Sequence, residues 1–179
     1  MICTLNPEQV KQCQERSALV KPDRHPLSTG RNVIIDKTND KDGVDLLGWM
    51  GELVVSITTG FPLDWQLFHG SDPGYDMAVS DFTIQIKTGC GPSLLFKTLD
   101  YFSENADVAV LVKYVGNDRR HPETDPRFVV HGWVTRDDFV IKHRIRDFGR
   151  GLGQQPYMHK SEMRPLASLI KRGEYEPVN

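Results

Sequence analysis

An aspartate, a glutamine and a lysine lie close together in the segment GYDMAVSDFTIQIKTG, at Asp76, Gln85 and Lys87. The segment reads as two strands, Tyr75–Val79 and Phe82–Thr88, joined by a two-residue turn that sets Asp76 opposite Gln85. Side chains alternate between the faces of a strand, so Gln85 and Lys87 share one face, and directly opposed residues bring their Cβ atoms to about 5 Å of each other. A carboxylate, an amide oxygen and an ammonium group would then meet at one polar point. Such a set suits a divalent metal ion and an attacking water.

A helix is predicted immediately before this hairpin, over Asp40–Thr59. Its apolar residues recur at three- and four-residue spacing and form one stripe, made of Val44, Leu46, Leu47, Met50, Leu53, Val54 and Ile57. Glu52 lies beside the stripe, where the helix meets the sheet, and can reach the polar point. Gly48 and Gly51 lack side chains and would let the helix approach its neighbour closely, despite their cost in helix propensity.

Strands and helices alternate along the rest of the chain. The further predicted elements are a polar helix over Asn6–Leu19, strands at Trp65–His69, Ser93–Lys97, Asp107–Val115 and Arg127–Val134, a helix from Thr135 to about Arg146, a glycine-rich loop over Phe148–Pro156 and a last helix over Ser161–Lys171. This order predicts an α/β protein with a mixed central β-sheet flanked by helices. We expect a single globular domain overall, with an N-terminal helix and loop extension over residues 1–37 and the main domain over residues 38–179.

Composition narrows the function classes. A chain of 179 residues favours one domain, and a formal net charge of -2 means that any nucleic-acid surface must be local. Cys3, Cys13 and Cys90 form no metal-finger spacing, and their odd number favours a reducing cytoplasm over a disulfide framework. We expect neither a secreted precursor nor a membrane protein, because no signal pattern and no long apolar run occurs. Serine-triad, Walker-loop and dinucleotide-binding patterns are also missing from the sequence.

Basic side chains are concentrated in the C-terminal part, between residues 136 and 150. A solvated helix face explains this concentration about as well as contact with a nucleic-acid backbone does. His69, in FHGSDPGYD, could touch a phosphate, and the alternative interpretation is a polar residue at the end of a strand. The residues that we select as candidate nucleic-acid contacts are His69, Lys97, Arg144, Arg146 and Arg150.

The stretch GELVVSITTGFPLDWQLFHGSDPGYDMAVSDFTIQIKTG resembles the PD-(D/E)xK nuclease superfamily, whose members have the restriction-endonuclease-like fold. The shared pattern is a helical Glu, then an Asp, then (Glu/Asp/Gln)-x-Lys, and the resemblance covers about residues 44–115. The later segments HGWVTRDDF and RPLASL are similar to the tails of small phage-type members. The resemblance implies a restriction-endonuclease-like sheet and a metal-dependent nuclease that hydrolyses DNA. It is compatible with a phage-encoded protein in a host cytoplasm, and a homodimer is left open.

The resemblance also implies a role for each residue of the pattern. Asp76 would bind Mg²⁺, for which Mn²⁺ could substitute, with Gln85 and the carbonyl of Ile86 as further oxygen ligands. Lys87 would orient or help to deprotonate the attacking water, and Glu52 would help to position the metal or its waters. Mg²⁺ prefers oxygen ligands and keeps several waters, so few protein ligands suffice.

Two positions depart from the family pattern. The residue before Asp76 is Tyr75 instead of a proline, and Gln85 stands where an acid is usual. An amide binds Mg²⁺ more weakly than a carboxylate, so a catalytically inactive member that binds nucleic acid or another protein is an alternative. A structural component of a larger phage assembly is a third alternative, for which the sequence offers no positive feature.

Overall fold

The computed structural model describes residues 2–20, 41–63, 74–148 and 153–173, and it confirms a mixed α/β architecture. Its elements in chain order are β1 (Cys3–Thr4), α1 (Pro7–Val20), α2 (Lys41–Thr59), β2 (Met77–Val79), β3 (Phe82–Gly89), β4 (Ser93–Leu95), β5 (Val108–Tyr114), β6 (Arg127–Thr135), α3 (Arg136–Lys142), β7 (Arg144–Asp147), β8 (Gln154–His159) and α4 (Leu166–Gly173). Short 3₁₀ helices occur at Leu99–Tyr101, Pro122–Thr124 and Lys160–Glu162. The predicted strand Trp65–His69 lies outside the described residues.

The main sheet has five strands in the order β1-β6-β5-β3-β2. β3 and β5 are parallel, whereas the other neighbours pair antiparallel, so the sheet is mixed as predicted. β5 lies between β3 and β6, and every residue of it except Lys113 is buried. This burial is what the continuous apolar run DVAVLVKYV predicts. The parallel pairing of β3 with β5 therefore places the hairpin beside the buried centre of the sheet.

Helices cover one face of this sheet. Side chains of α1, α2 and α4 form one core with residues of β3 and β5, among them Cys13, Met50, Leu169, Ile84 and Val110. The N-terminal helix therefore packs in the same core as α2. The predicted boundary at residues 37 and 38 lies in a part of the chain that is not described.

The opposite face differs from the prediction, which expected only helices to flank the sheet. A second sheet of three strands, in the order β4-β8-β7, packs there together with α3. Its core contains Phe96, Phe102 and Phe139, whose ring centroids lie 4.9–5.6 Å apart. This face therefore holds a second, largely aromatic core.

The bounds of three predicted elements near the C-terminus are wrong. The helix from Thr135 ends at Lys142 instead of Arg146, because the residues that follow form β7 and pair with β8. β8 replaces the end of the predicted loop Phe148–Pro156, since Met158 is buried in the second core and draws this segment into the sheet. The last helix begins at Leu166 instead of Ser161, directly after Pro165, which fits a helix start because it has no N–H to satisfy.

Two helices begin as predicted, and the first residue of each predicted range acts as an N-cap. At α1, Gln9 N donates to Asn6 Oδ1 at 2.9 Å, and Asn6 N donates to Gln9 Oε1 at 2.8 Å. At α3, Asp138 N donates to Thr135 Oγ1 at 3.1 Å. Each of these bonds satisfies a backbone N–H that would otherwise have no intrahelical partner.

Candidate functional site

The β2–β3 hairpin carries the predicted register. Met77 pairs with Ile84, Ala78 with Thr83 and Val79 with Phe82, as the two-residue turn requires. Ser80 in the turn has a positive φ of 49°, which a tight hairpin turn commonly needs. The first strand is shorter than the predicted Tyr75–Val79, because regular pairing stops at Met77 and the chain bends away before it.

Asp76 lies just before the last regular pair of the hairpin, and both its backbone and its side chain bond to the backbone of β3. Its backbone N donates to the carbonyl of Ile84 at 2.8 Å, and its carboxylate Oδ2 accepts a hydrogen bond from the backbone N of Ile86 at 2.5 Å. The N–H and C=O of an extended residue leave the strand at the same edge, so the Ile86 carbonyl also faces the β2 side. The two oxygen groups that are predicted to bind metal therefore share one edge of β3.

Gln85 is buried on the other side from the helices, with 8% of its surface exposed. Its Nε2 donates to the carbonyl of Tyr101 at 3.2 Å, and its Oε1 accepts a hydrogen bond from Ser103 N at 3.3 Å. Both ends of the amide are therefore engaged with the loop between β4 and β5. The ligand role of Gln85 stays a prediction, and the contacts that the structure gives to this side chain are with the loop.

Lys87 lies on the same face of β3 as Gln85, as the alternation predicts. Its Nζ is 5.7 Å from the centroid of the Phe96 ring in the second core. The negative face of an aromatic ring attracts a cation at this distance. The ammonium group of the half-buried Lys87 thus lies beside Phe96 on this side of the sheet.

Glu52 lies on the helical side of the sheet. The carboxylate adds to burial in raising the pKa of the Cys13 thiol on α1 to about 12. The preceding residue, Gly51, is so close to β3 that a Cβ there would be 1.8 Å from Thr88 Oγ1. The close approach expected of Gly51 is confirmed, whereas that expected of Gly48 is wrong, because a Cβ at Gly48 would meet no described atom within 4 Å. Glu52 is placed near α1 on the face opposite to Gln85 and Lys87.

The basic side chains predicted to contact nucleic acid pack on aromatic rings of the second layer. Lys97 Nζ lies 5.6 Å from the centroid of Tyr101, and the guanidinium of Arg146 lies 5.5 Å from that of Phe148. The guanidinium of Arg144 lies 5.3 Å from the ring of Tyr157, and its Nη2 donates to Glu162 at 2.5 Å. The other two predicted contacts, His69 and Arg150, are outside the described residues.

The donor set fits a metal ion that is held by few protein ligands. Among the residues that the structure describes, no three His, Cys, Asp or Glu side chains are grouped closely enough to hold a metal together. Mg²⁺ can bind through one or two protein oxygens and retain its waters. The Asp76 carboxylate and the Ile86 carbonyl meet that low requirement at one strand edge, whereas the Gln85 oxygen already accepts a backbone hydrogen bond.

The sequence did not indicate the loop that Gln85 holds. Tyr101 and Ser103 contribute only backbone atoms to this contact, so their side-chain types carry no signal of it. The position of Phe96 below Lys87 was also missed: Phe96 lies within the predicted strand Ser93–Lys97, but no feature of that strand's sequence indicates that it lies near the hairpin.

The described parts of the chain contain no helix with the length and apolar character needed to cross a membrane.

No family model matches the chain, and neither a curated protein nor a solved structure is similar enough to it to count as a match.

Proposed function

We propose that the protein is a Mg²⁺-dependent nuclease that hydrolyses phosphodiester bonds of DNA, built on a restriction-endonuclease-like sheet. The observation that carries the proposal is the hydrogen bond from Ile86 N to Asp76 Oδ2. This bond holds the carboxylate at the edge of β3 beside Ile86, the residue between Gln85 and Lys87. The chain order supports the same conclusion, because a helix with Glu52 precedes the aspartate hairpin and the parallel strand β5 follows it.

Each residue of the site has a distinct task in this proposal. Asp76 and the Ile86 carbonyl would hold Mg²⁺, which when bound supplies positive charge to the phosphate and acidifies a bound water. Lys87 would donate from Nζ to the attacking water or to a phosphate oxygen, with Phe96 restricting the direction of its side chain. Glu52 would assist from the helical side, where its carboxylate also acts on the Cys13 thiol.

The test is a cleavage assay with linear, circular and branched DNA in the presence of Mg²⁺, Mn²⁺ or a chelator. Asp76→Asn keeps an oxygen that can accept from Ile86 N but removes the charge, and Lys87→Ala removes the ammonium group. Either change should slow cleavage by about 100-fold or more, the usual size of such contributions. Asp81→Asn, in the exposed turn of the same hairpin, is the matched control and should cut at the wild-type rate. Unchanged cleavage by both site variants, with thermal unfolding like the wild type, would contradict the proposal.

A second candidate is a member of the same fold that binds nucleic acid or a protein without catalysis. The specific observation in its favour is that the Gln85 amide is engaged with the backbone of Tyr101 and Ser103. Fluorescence anisotropy with labelled DNA distinguishes the two. Binding of one DNA form without cleavage of any form, in every metal tested, would favour the binding protein over the enzyme.

A further inference from the structure

The side chain at position 85 must both donate and accept a hydrogen bond in this structure. Gln85 Nε2 donates to Tyr101 O at 3.2 Å and its Oε1 accepts from Ser103 N at 3.3 Å, in a setting that leaves 8% of the residue exposed. An amide offers one donor group and one acceptor group, whereas an ionised carboxylate offers acceptors only. A glutamate here would place a buried charge next to the Tyr101 carbonyl with no proton to share. The two hydrogen bonds therefore match a neutral amide and do not match an ionised carboxylate.

The loop that Gln85 binds is held along β3 by a second side chain on the same face. Thr83 Oγ1 donates to Asn105 O at 2.6 Å, and Thr83 N donates to Asp107 Oδ2 at 2.8 Å. Thr83 and Gln85 thus fasten the segment from Tyr101 to Asp107 over the face of β3. Phe102, within this segment, is fully buried in the second core, so the loop is anchored from both sides.

The same loop contacts the turn that carries Asp76. A Cβ at Gly74 would be 2.1 Å from Ser103 Oγ, so the Ser103 side chain lies directly against the Gly74 backbone. Gly74 has a φ of +88°, a conformation that favours glycine. Tyr75 packs against the second core as well. The turn of residues 74–76 is thereby enclosed between the loop and the end of β2.

We infer that Gln85 is a positioning residue that acts through the loop, and that it does not bind the metal. Its amide fixes Ser103, Ser103 supports Gly74, and the turn so held presents the Asp76 carboxylate to Ile86 N. Because it concerns the placement of Asp76, this inference rests on the proposed function; the tie between Gln85 and the loop can be tested without any activity.

The test compares Gln85→Glu and Gln85→Met with Gln154→Glu, a matched change at an exposed strand position. Both variants at position 85 should lower Tm by about 4–8 °C, because each leaves buried polar groups without partners. Hydrogen exchange of the amides of residues 103–107 should become at least about tenfold faster. The control should change neither quantity. Wild-type Tm and exchange in Gln85→Met would overturn the tie.

Magnesium separates positioning from ligation. Titration of Mg²⁺ against thermal unfolding should stabilise Gln85→Glu no more than the wild type, because the introduced carboxylate gains no place at the metal. In cleavage assays below the unfolding range, Gln85→Met should lose about tenfold to 100-fold in kcat, as misplacement of a reacting group does, and its half-saturating Mg²⁺ concentration should rise, because Asp76 is itself a metal ligand in the proposed site. A larger Mg²⁺ stabilisation of Gln85→Glu, or a wild-type kcat in folded Gln85→Met, would overturn the inference. If the wild type cuts no DNA, the proposed function fails, and the unfolding and exchange experiments still decide the tie.

Discussion

Replacement of Gly51 by alanine should destabilise the packing of α2 on β3, although alanine favours the helix. The gain in helix propensity is about 1 kcal/mol. Against it, the new Cβ would lie 1.8 Å from Thr88 Oγ1 and 3.0 Å from Thr88 Cβ, so the neighbours must separate. Thr88 is β-branched and cannot turn away freely. Overpacking of this kind costs about 1–3 kcal/mol, so the net change is about 0–2 kcal/mol of lost stability.

Gly48, one turn earlier in α2, provides the matched control. A Cβ there would meet none of the described residues within 4 Å, so Gly48→Ala should retain the whole propensity gain of about 1 kcal/mol. Because each kcal/mol changes Tm by about 2–4 °C at this chain length, Gly48→Ala should unfold about 2–12 °C above Gly51→Ala in a thermal or urea series. Adding Thr88→Ala to Gly51→Ala should recover part of the loss. Equal Tm gains for the two glycine variants would refute the close contact between α2 and β3.

Two further predictions concern titratable groups. Burial and the Glu52 carboxylate raise the pKa of Cys13 to about 12. Iodoacetamide at pH 8 should therefore modify the exposed Cys90 and leave Cys13 unmodified until urea unfolds the chain. Labelling of Cys13 at the rate of Cys90 in the folded protein would contradict its burial. The pKa of His131 lies below its usual 6.5, first because of burial and then because of the charges of Lys160, Lys113 and His159. The folded state therefore binds this proton less tightly than the unfolded chain does. Stability should fall as the pH drops below about 6.5. His131→Gln should therefore reduce the decrease in the urea midpoint between pH 7.5 and 5.5, and an unchanged decrease would show that other groups cause it.

Local features of the sequence predict the part of the fold that local interactions determine. The two-residue turn at Ser80 sets the whole register of the β2–β3 hairpin, and the continuous apolar run of β5 indicates a strand covered on both faces. Asn6 and Thr135 begin their helices because their side chains accept from a backbone N–H a few residues later. In each case the interacting groups are close in sequence, so their spacing contains the information.

Partners that are distant in sequence explain the failures. The segment Arg144–Asp147 has four exposed residues and no apolar alternation that would mark it as a strand, and it becomes β7 only because β8 supplies a hydrogen-bonding edge. The tie between Gln85 and the loop is equally hidden, since it uses backbone atoms of Tyr101 and Ser103. A polar residue on a strand looks the same in sequence whether it binds solvent, a ligand or a distant backbone group.

The candidate site depends on both layers of the protein because β3 belongs to both. Ile84 and Ile86 pack into the helical core, whereas Gln85 and Lys87 face the aromatic core, and the strand between them carries the backbone groups that hold Asp76. Among the described residues, the aspartate is connected to the backbone of β3 by hydrogen bonds and to the second layer by the contact of Ser103 with Gly74. These connections tie the carboxylate to the hairpin and to the second layer, while the helical layer contributes the stability of the sheet on which both depend.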